Sequence, residues 1–195
     1  MIKFRSCLPA VLSLLVAVTA AAHAQNNPYT FDQLLDDGGL VLEQPGNFDV
    51  QTPEANEVLS YEHALKHRHK KLAVRYAIRP IKMVEIDYED PHNAAPEPNH
   101  LFPMLFQSLI SDFSRGGSSP STEYSPDDAR SKFNADWASV AVMDVSRDFT
   151  AEYDQMLLLA LHKNNASDAY VIVLFDDYAE VKPEINAALG SLKFK

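Results

Sequence analysis

Three long apolar segments in the second half of the chain constrain its fold most. Trp137–Val145, Met156–Leu161 and Ala169–Phe175 are apolar at nearly every position, so each is expected to form a strand buried on both faces. The connection between the second and third segments is short and polar and contains Asn164 and Asn165, which predicts a hairpin. The sequence therefore predicts a central sheet that is covered above and below.

Helical patterns supply the covering layers. Apolar residues at helical spacing predict a helix that begins at Asn99 as its N-cap and stops at Gly116 and Gly117: Phe102, Leu105, Phe106, Leu109, Ile110 and Phe113. Ser125 and Pro126 open a second, short helix that runs toward Phe133. A third helix over residues 181–189 is closed by Gly190, and residues 191–194 are expected to return as an edge strand.

The first half of the chain predicts further strands. Apolar and polar residues alternate from Leu72 to Ile78, which is typical of a half-buried strand, and Val84, Ile86 and Tyr88 repeat the pattern after Pro80. Residues 53–70 permit two interpretations. Thr52, Pro53 and Glu54 look like a helix start, whereas the alternation over residues 59–65 and the basic residues that follow favour a hairpin. We favour the hairpin, and the helix stays open.

These patterns together predict the α+β class. The sheet is expected to be mainly antiparallel, with helices packed on its faces as an α/β/α sandwich, because its central strands are apolar on both faces and the last two are joined as a hairpin. This domain spans residues 48–195 and follows a polar, turn-rich N-terminal arm over residues 25–47.

The closing residues resemble a known family. The strand Ala169–Phe175, the acidic turn Asp176 and Asp177, the proline-containing helix from Glu180 to Leu189 and the strand Ser191–Phe194 are similar to the end of the PsbP-like α/β sandwich family. The resemblance covers about the last third of the chain, from Trp137. It implies an α/β/α sandwich used largely as a non-catalytic accessory or binding module, and it assigns no functional residue.

The N-terminus predicts export. Lys3 and Arg5 precede an uncharged apolar stretch over residues 8–22, and Ala22 and Ala24 flank His23 in the small-x-small pattern of a cleavage site. Residues 1–24 are therefore expected to be a signal peptide, and the chain to be periplasmic or secreted with no membrane span after cleavage. Removal of 24 of the 195 residues leaves 171, the size of one domain.

Cleavage also decides which chemistries are available. It removes Cys7, the one cysteine, so thiol catalysis and cysteine-metal sites are excluded from the mature chain. The signal peptide holds two of the 17 basic residues and none of the 27 acidic ones, so cleavage takes the net charge from −10 to −12. Such a surface repels phosphate backbones, and we expect no nucleic-acid partner.

A histidine cluster suggests a metal site. His63, His67 and His69 lie among basic residues, and imidazole is a common ligand of zinc, copper and nickel. In a strand His67 and His69 share a face, and in a helix His63 and His67 do. The competing interpretation is a solvated basic turn, because neighbouring lysines and arginines oppose a dication.

Acidic and basic clusters give two further candidates. If His162 pairs with Ala169 across the hairpin, Asp154 lies opposite Asp177, a pair that could hold a hard cation or act in carboxylate catalysis. The alternative is a hydrated acidic end of the sheet.

Arg75 and Arg79 share a strand face with Lys71. They would either bind a substrate carboxylate or pair with acids such as Glu85 or Asp87.

The functional prediction is a non-catalytic binding or accessory module of the cell envelope. No nucleophile elbow, phosphate loop, dinucleotide fingerprint or zinc-protease motif occurs in the sequence, so an enzyme is disfavoured and no cofactor is expected. The partner is an envelope protein or a small ligand. Two alternatives are kept: a periplasmic transition-metal-binding protein that uses the histidine cluster, and a carboxylate-dependent hydrolase.

Overall fold

The structure is a computed structural model that describes residues 28–83, 97–114 and 119–195. These residues form four α-helices: α1 (Phe31–Asp37), α2 (Pro98–Phe113), α3 (Pro126–Phe133) and α4 (Tyr178–Leu189). They also form nine strands: β1 (Leu40–Leu42), β2 (Phe48–Gln51), β3 (His63–His67), β4 (Leu72–Pro80), β5 (Ser121–Glu123), β6 (Trp137–Asp144), β7 (Gln155–Lys163), β8 (Ser167–Phe175) and β9 (Leu192–Phe194). The predicted signal peptide lies outside the described residues.

Seven strands form one antiparallel sheet in the order β2-β3-β4-β8-β7-β6-β5. Strands β7 and β8 lie near its centre and are buried on both faces, as their continuous apolar sequence predicts. Strand β6 is not: its Val142 is 47% exposed and lies beyond residues 139–141, which pair with β5. The α+β class is confirmed, with helices on both faces of a mainly antiparallel sheet.

Two apolar layers sandwich the sheet. One, the three-helix face, packs against α1, α3, α4 and the small sheet formed by β1 and β9. The other, the α2 face, is covered by α2, by the segment that precedes β3 and by the connection from β6 to β7. Side chains that are completely or almost completely buried anchor the helices: Leu34, Val181 and Ile185 on the first face, and Phe102, Phe106 and Phe113 on the second.

The β7-β8 hairpin is confirmed, but its predicted register is wrong by one residue. His162 pairs with Asp168 rather than with Ala169, and Gln155 pairs with Phe175. The turn is Asn164 to Ala166, in which Asn165 adopts a left-handed conformation with φ of 57° that asparagine tolerates better than most residues.

The first half of the chain contains the favoured hairpin. Strand β3 pairs with β4 through the turn at residues 68–71, so the helix interpretation of residues 53–70 is wrong. Strand β4 is buried on both faces except at Arg75 and Arg79, and the prediction of a half-buried strand is corrected. The reason is that Ala73 and Ala77 leave room for the α2 layer. Val84, Ile86 and Tyr88 lie outside the described residues.

The predicted helices are present with different ends. Helix α2 begins after Glu97, which gives no side-chain cap, so Asn99 is inside its first turn rather than at its N-cap. It ends at Phe113; Gly116 and Gly117 lie outside the described residues. Ser125 caps α3 as expected by accepting from the Asp128 N–H.

Residues 25–47 contribute to the packing where the structure describes them. Thr30 and Gln33 form a reciprocal capping box at the start of α1. Leu34 of α1 and Leu40 of β1 are buried, and β1 pairs with β9 at the end of the chain.

Candidate functional site

The α2 face contains polar side chains within a layer that is otherwise apolar. Three groups lie there: the pair of His162 and Asp168 at the turn end of β7 and β8, Arg75 in the middle of β4, and Arg79 with Glu62. All three lie in an otherwise apolar layer, where an unpaired charge is costly.

His162 and Asp168 form a buried hydrogen-bonded pair. They lie opposite each other in the register, and His162 Nδ1 is 2.6 Å from Asp168 Oδ1. His162 Nε2 lies 3.1 Å from Asn164 Oδ1, so both ring nitrogens face oxygen acceptors. This is the hydrogen-bond pattern of the charged imidazolium. The ring of Phe102 stacks on the imidazole with the centroids 5.1 Å apart.

The surroundings of His162 favour its charged form. Burial alone would lower the pKa of His162, but the hydrogen bonds to Asp168 and Asn164 and the charges of Asp168 and Asp136 outweigh it, so the pKa is raised. A histidine oriented by a carboxylate is a common general base. Here the second nitrogen is held by Asn164 and the ring is covered by Phe102, so neither nitrogen is open to a substrate.

Arg79 has a structural partner on the same face. Its Nη1 lies 2.9 Å from Glu62 Oε1, and a second contact joins it to the carbonyl of Ser60. Glu62 also accepts the backbone N–H of Ile78. The expectation of an acidic partner is met by Glu62; Glu85 and Asp87 lie outside the described residues.

Arg75 differs from Arg79 because aromatic rings surround it in place of an acid. Its Cζ lies 4.6 Å from the ring centroid of Tyr61 and 4.8 Å from that of Phe149. The two ring centroids are 6.5 Å apart, so the rings meet at a corner and do not enclose the guanidinium from opposite sides. Within the part of the chain that the structure describes, Arg75 makes no hydrogen bond and no ion pair.

Tyr153 lies beside the same corner. Burial raises the pKa of Tyr153 to about 12; the charges of Glu152 and Asp176 act in the same direction, and that of Arg75 opposes them. The phenol therefore stays protonated at neutral pH. Tyr153 belongs to the same apolar cluster as Tyr61 and Phe149, so the corner is aromatic on several sides.

The three predicted metal ligands occupy different surroundings. His63 stacks on Phe31 with the centroids 4.6 Å apart, and its Nε2 is buried without a hydrogen-bond partner. His67 Nδ1 accepts the backbone N–H groups of His69 and Lys70, both at 3.1 Å. The rings of His67 and His69 lie 6.2 Å apart. Among the described residues, no group of three histidine, cysteine or acidic side chains is arranged to hold a metal ion.

His67 is a structural element of the hairpin turn. Because its Nδ1 accepts two hydrogen bonds, the ring is protonated on Nε2, which is buried without a partner. Burial lowers the pKa of both His63 and His67. The nearby carboxylate of Glu184 is held by Lys70 at 2.6 Å, which lowers the pKa of Glu184.

The acidic cluster has a different composition from the predicted one. Asp154 lies beside Asp176, whose Oδ1 accepts the Asp154 N–H at 3.1 Å, while Asp177 caps α4 by accepting from Ala179. Each carboxylate of the pair has its own cation. Arg147 binds Asp154, and Lys71 binds Asp176 and lowers its pKa. The pair therefore forms two ion pairs across the end of the sheet.

No sequence pattern singles out His162 and Asp168. The signal that could have found them is register: in a hairpin whose turn is Asn164 to Ala166, these two residues face each other. The predicted register placed Ala169 opposite His162 and so hid the pair.

Comparison with known proteins adds a likeness of fold. No protein-family model and no curated protein matches this chain. The chain is similar to the solution structure of cyanobacterial PsbP (CyanoP) from Synechocystis sp. PCC 6803, at 10% sequence identity and a TM-score of 0.43. The similarity covers 81% of this chain and 88% of that chain.

Within residues 28–83, 97–114 and 119–195, none of the helices has the length and apolar character that spanning a bilayer requires.

Proposed function

We propose that this chain is a non-catalytic binding or accessory module that acts outside the cytoplasm. The observation that carries the proposal is the state of His162. Among the residues that the structure describes, His162 is the one best suited to acid-base chemistry, because a buried carboxylate contacts it. Both of its ring nitrogens are nevertheless bound, and Phe102 covers the ring. A pair held in this way stabilises the hairpin and leaves no reactive atom free.

The other titratable clusters support the same proposal. The carboxylates at the end of the sheet are paired with Arg147 and Lys71, and Arg79 is paired with Glu62. Residues that form structural ion pairs are poorly suited to catalysis, because a change of their charge during turnover would break the pair. The partner of the module is an envelope protein or a small ligand.

A turnover assay tests the absence of catalysis. The purified chain is offered chromogenic esters, phosphoesters, glycosides and peptides, beside a His162→Asn variant. We expect both proteins to give the rate of buffer alone. Turnover by the parent that the variant loses would refute the proposal, because it would make His162 catalytic.

Photo-cross-linking in the native host tests the binding role. A cross-linking amino acid is placed at Leu105 on α2 and, separately, at Val142 on β6, which are 45% and 47% exposed on opposite sides of the sheet. We expect one position to give a discrete product and the other to serve as its control. No product from either, at native expression level, would contradict a protein partner.

The proposed compartment rests on residues 1–24 acting as a signal peptide. Intact-mass measurement of protein purified from its host should give a chain that begins at Gln25. A mass that retains Met1 would contradict export by this route.

Metal binding by the histidine cluster is the second candidate. The observation behind it is that His67 and His69 are neighbours, with their ring centroids 6.2 Å apart. Calorimetry with zinc and copper tests the candidate against a variant with His67→Ala and His69→Ala. Binding that the double variant retains would end it.

A further inference from the structure

We propose that Arg75 is the recognition group for a carboxylate-bearing ligand, bound at the corner formed by Tyr61 and Phe149. This inference deepens the proposed binding function and rests on it, since it names the chemistry of one ligand. It is carried by a guanidinium that the fold positions firmly and leaves without an acidic partner among the described residues.

The donors of Arg75 are available. Guanidinium N–H groups form a planar fork that matches the two oxygens of a carboxylate. Arg79 shows the usual outcome on this face, because Glu62 and backbone carbonyls take up its donors. Arg75 lies four residues away on the same strand and face, yet it contacts rings, which attract the charge through their faces but accept no in-plane hydrogen bond.

The corner fixes the position of the guanidinium and leaves it accessible. Tyr61 is held by accepting the Glu54 N–H at 3.1 Å, and the carbonyl of Phe149 accepts from Asn56 at 3.2 Å. The planes of the two rings are inclined to each other by 68°, so the rings cover adjacent sides of the guanidinium. Arg75 remains partly exposed, and a ligand can approach from the uncovered sides.

The surrounding charges favour a carboxylate over a phosphate. Glu152 pairs with Lys66 of β3 and Asp176 with Lys71, directly before β4, so both acids lie near the strand that carries Arg75, and the whole chain is acidic. Both acids already have cations, Lys66 and Lys71, which reduces their repulsion without removing it. A singly charged carboxylate meets less of that repulsion than a phosphate dianion, and its apolar remainder can contact the rings.

Titration by NMR tests the proposal on the whole mature chain. Acetate, phenylacetate and inorganic phosphate are added in turn while the Nε–H resonance of Arg75 is followed. We expect both carboxylates to shift it, phenylacetate at a lower concentration than acetate, and phosphate to bind more weakly than either. Arg75→Met keeps the apolar stem against the rings and should weaken carboxylate binding at least tenfold.

Two further variants give the assay its controls. Arg75→Lys keeps the charge but loses the fork, so its affinity should lie between those of the parent and Arg75→Met. Lys66→Gln removes one exposed positive charge nearby and should change the affinity less than threefold. Binding that survives Arg75→Met, or phosphate binding tighter than acetate, would overturn the assignment.

The proposed function fails separately from this inference. If no carboxylate shifts the Arg75 resonance, the ligand assignment is wrong while a cross-linked partner would still support a binding module. If the parent shows turnover that depends on His162, the module itself is wrong whatever Arg75 binds.

Discussion

The two faces of the sheet bury similar apolar layers but treat polar groups differently. On the three-helix face, the hydroxyl of Tyr76 bonds to Ser191 at 2.9 Å, and His63 and His67 are the titratable rings, both with lowered pKa values. On the α2 face lie charged groups: Arg75, the Arg79–Glu62 pair and the His162–Asp168 pair. The three-helix face therefore buries uncharged histidine rings, with the Lys70–Glu184 ion pair beside His67, whereas the α2 face holds two ion pairs and an arginine.

The difference follows from how each face is covered. Three helices and the β1-β9 sheet close the first face with aliphatic and aromatic side chains. A single helix and two irregular segments cover the second, and α2 is anchored by aromatic contacts such as Phe106 with Trp137 at 5.7 Å and Phe113 with Phe149 at 4.6 Å. Irregular coverage admits charges near its edges, and such places are where ligand-binding groups are expected.

The largest expected effect tests whether α2 is a true half of the core. Phe106 is fully buried, so Phe106→Ala should lower the free energy of unfolding by about 3–5 kcal/mol. Met104 lies on the same helix and is 63% exposed, so Met104→Ala should change it by less than about 0.5 kcal/mol. Urea denaturation measures both. Equal effects would show that α2 does not dock as described.

The next effect concerns charge pairing on the α2 face. The Glu62 side chain is 9% exposed and binds both Arg79 and the Ile78 N–H, so Glu62→Gln should cost about 2–3 kcal/mol. The low end applies because Arg79 is partly exposed. Asp49→Asn breaks the exposed pair with Arg68 and should cost less than about 1 kcal/mol. Denaturation curves in which the two variants match would remove the contrast between buried and exposed pairs.

The His162–Asp168 pair should give a smaller, pH-dependent effect. Asp168→Asn keeps a hydrogen-bond acceptor but removes the charge, and we expect a loss of about 1–2 kcal/mol near pH 6. Because the folded pKa of His162 is raised, this stabilisation is fully present below the ordinary value of 6.5 and is lost as pH rises through the folded pKa. The difference between parent and variant should therefore shrink toward pH 9.

The same pair can be followed directly. An NMR titration of the His162 ring should place its midpoint above 6.5 in the parent and lower in Asp168→Asn. A midpoint that the substitution leaves unchanged would mean that Asp168 does not set the charge of His162.

The fold was predictable where long patterns repeat. The apolar runs of β7 and β8 and the helical spacing of Phe102 to Phe113 identified the central strands and α2, because many residues support each pattern. The position of strand β4 was predicted correctly, but the burial of its second face was not. Arg75 and Arg79 made its second face look solvated, while Ala73 and Ala77 were too small to signal the layer packed against them.

The candidate site was only partly predictable. Arg75 was a candidate because an arginine on a covered strand face needs a partner. The strand face that Arg75 occupies follows from the alternation of residues in β4. Its aromatic corner could not be foreseen, since Tyr61 and Phe149 come from segments without regular structure, 88 residues apart. His162 and Asp168 depend on a register that a single residue of turn length changes.

The smallest effect on stability near neutral pH tests the three-helix face. His63 stacks on Phe31 and leaves Nε2 buried without a partner, so His63→Phe should change the free energy of unfolding by less than about 1 kcal/mol at pH 8. At acidic pH, the free energies of unfolding of the parent and of His63→Phe should differ. Burial lowers the folded pKa of His63, so the unfolded chain takes up the proton first, and stability present above pH 6.5 is lost as pH falls below it. Denaturation at pH 8 and pH 5.5 should show a smaller acid loss in His63→Phe; parallel losses would mean that His63 is not buried in its neutral form.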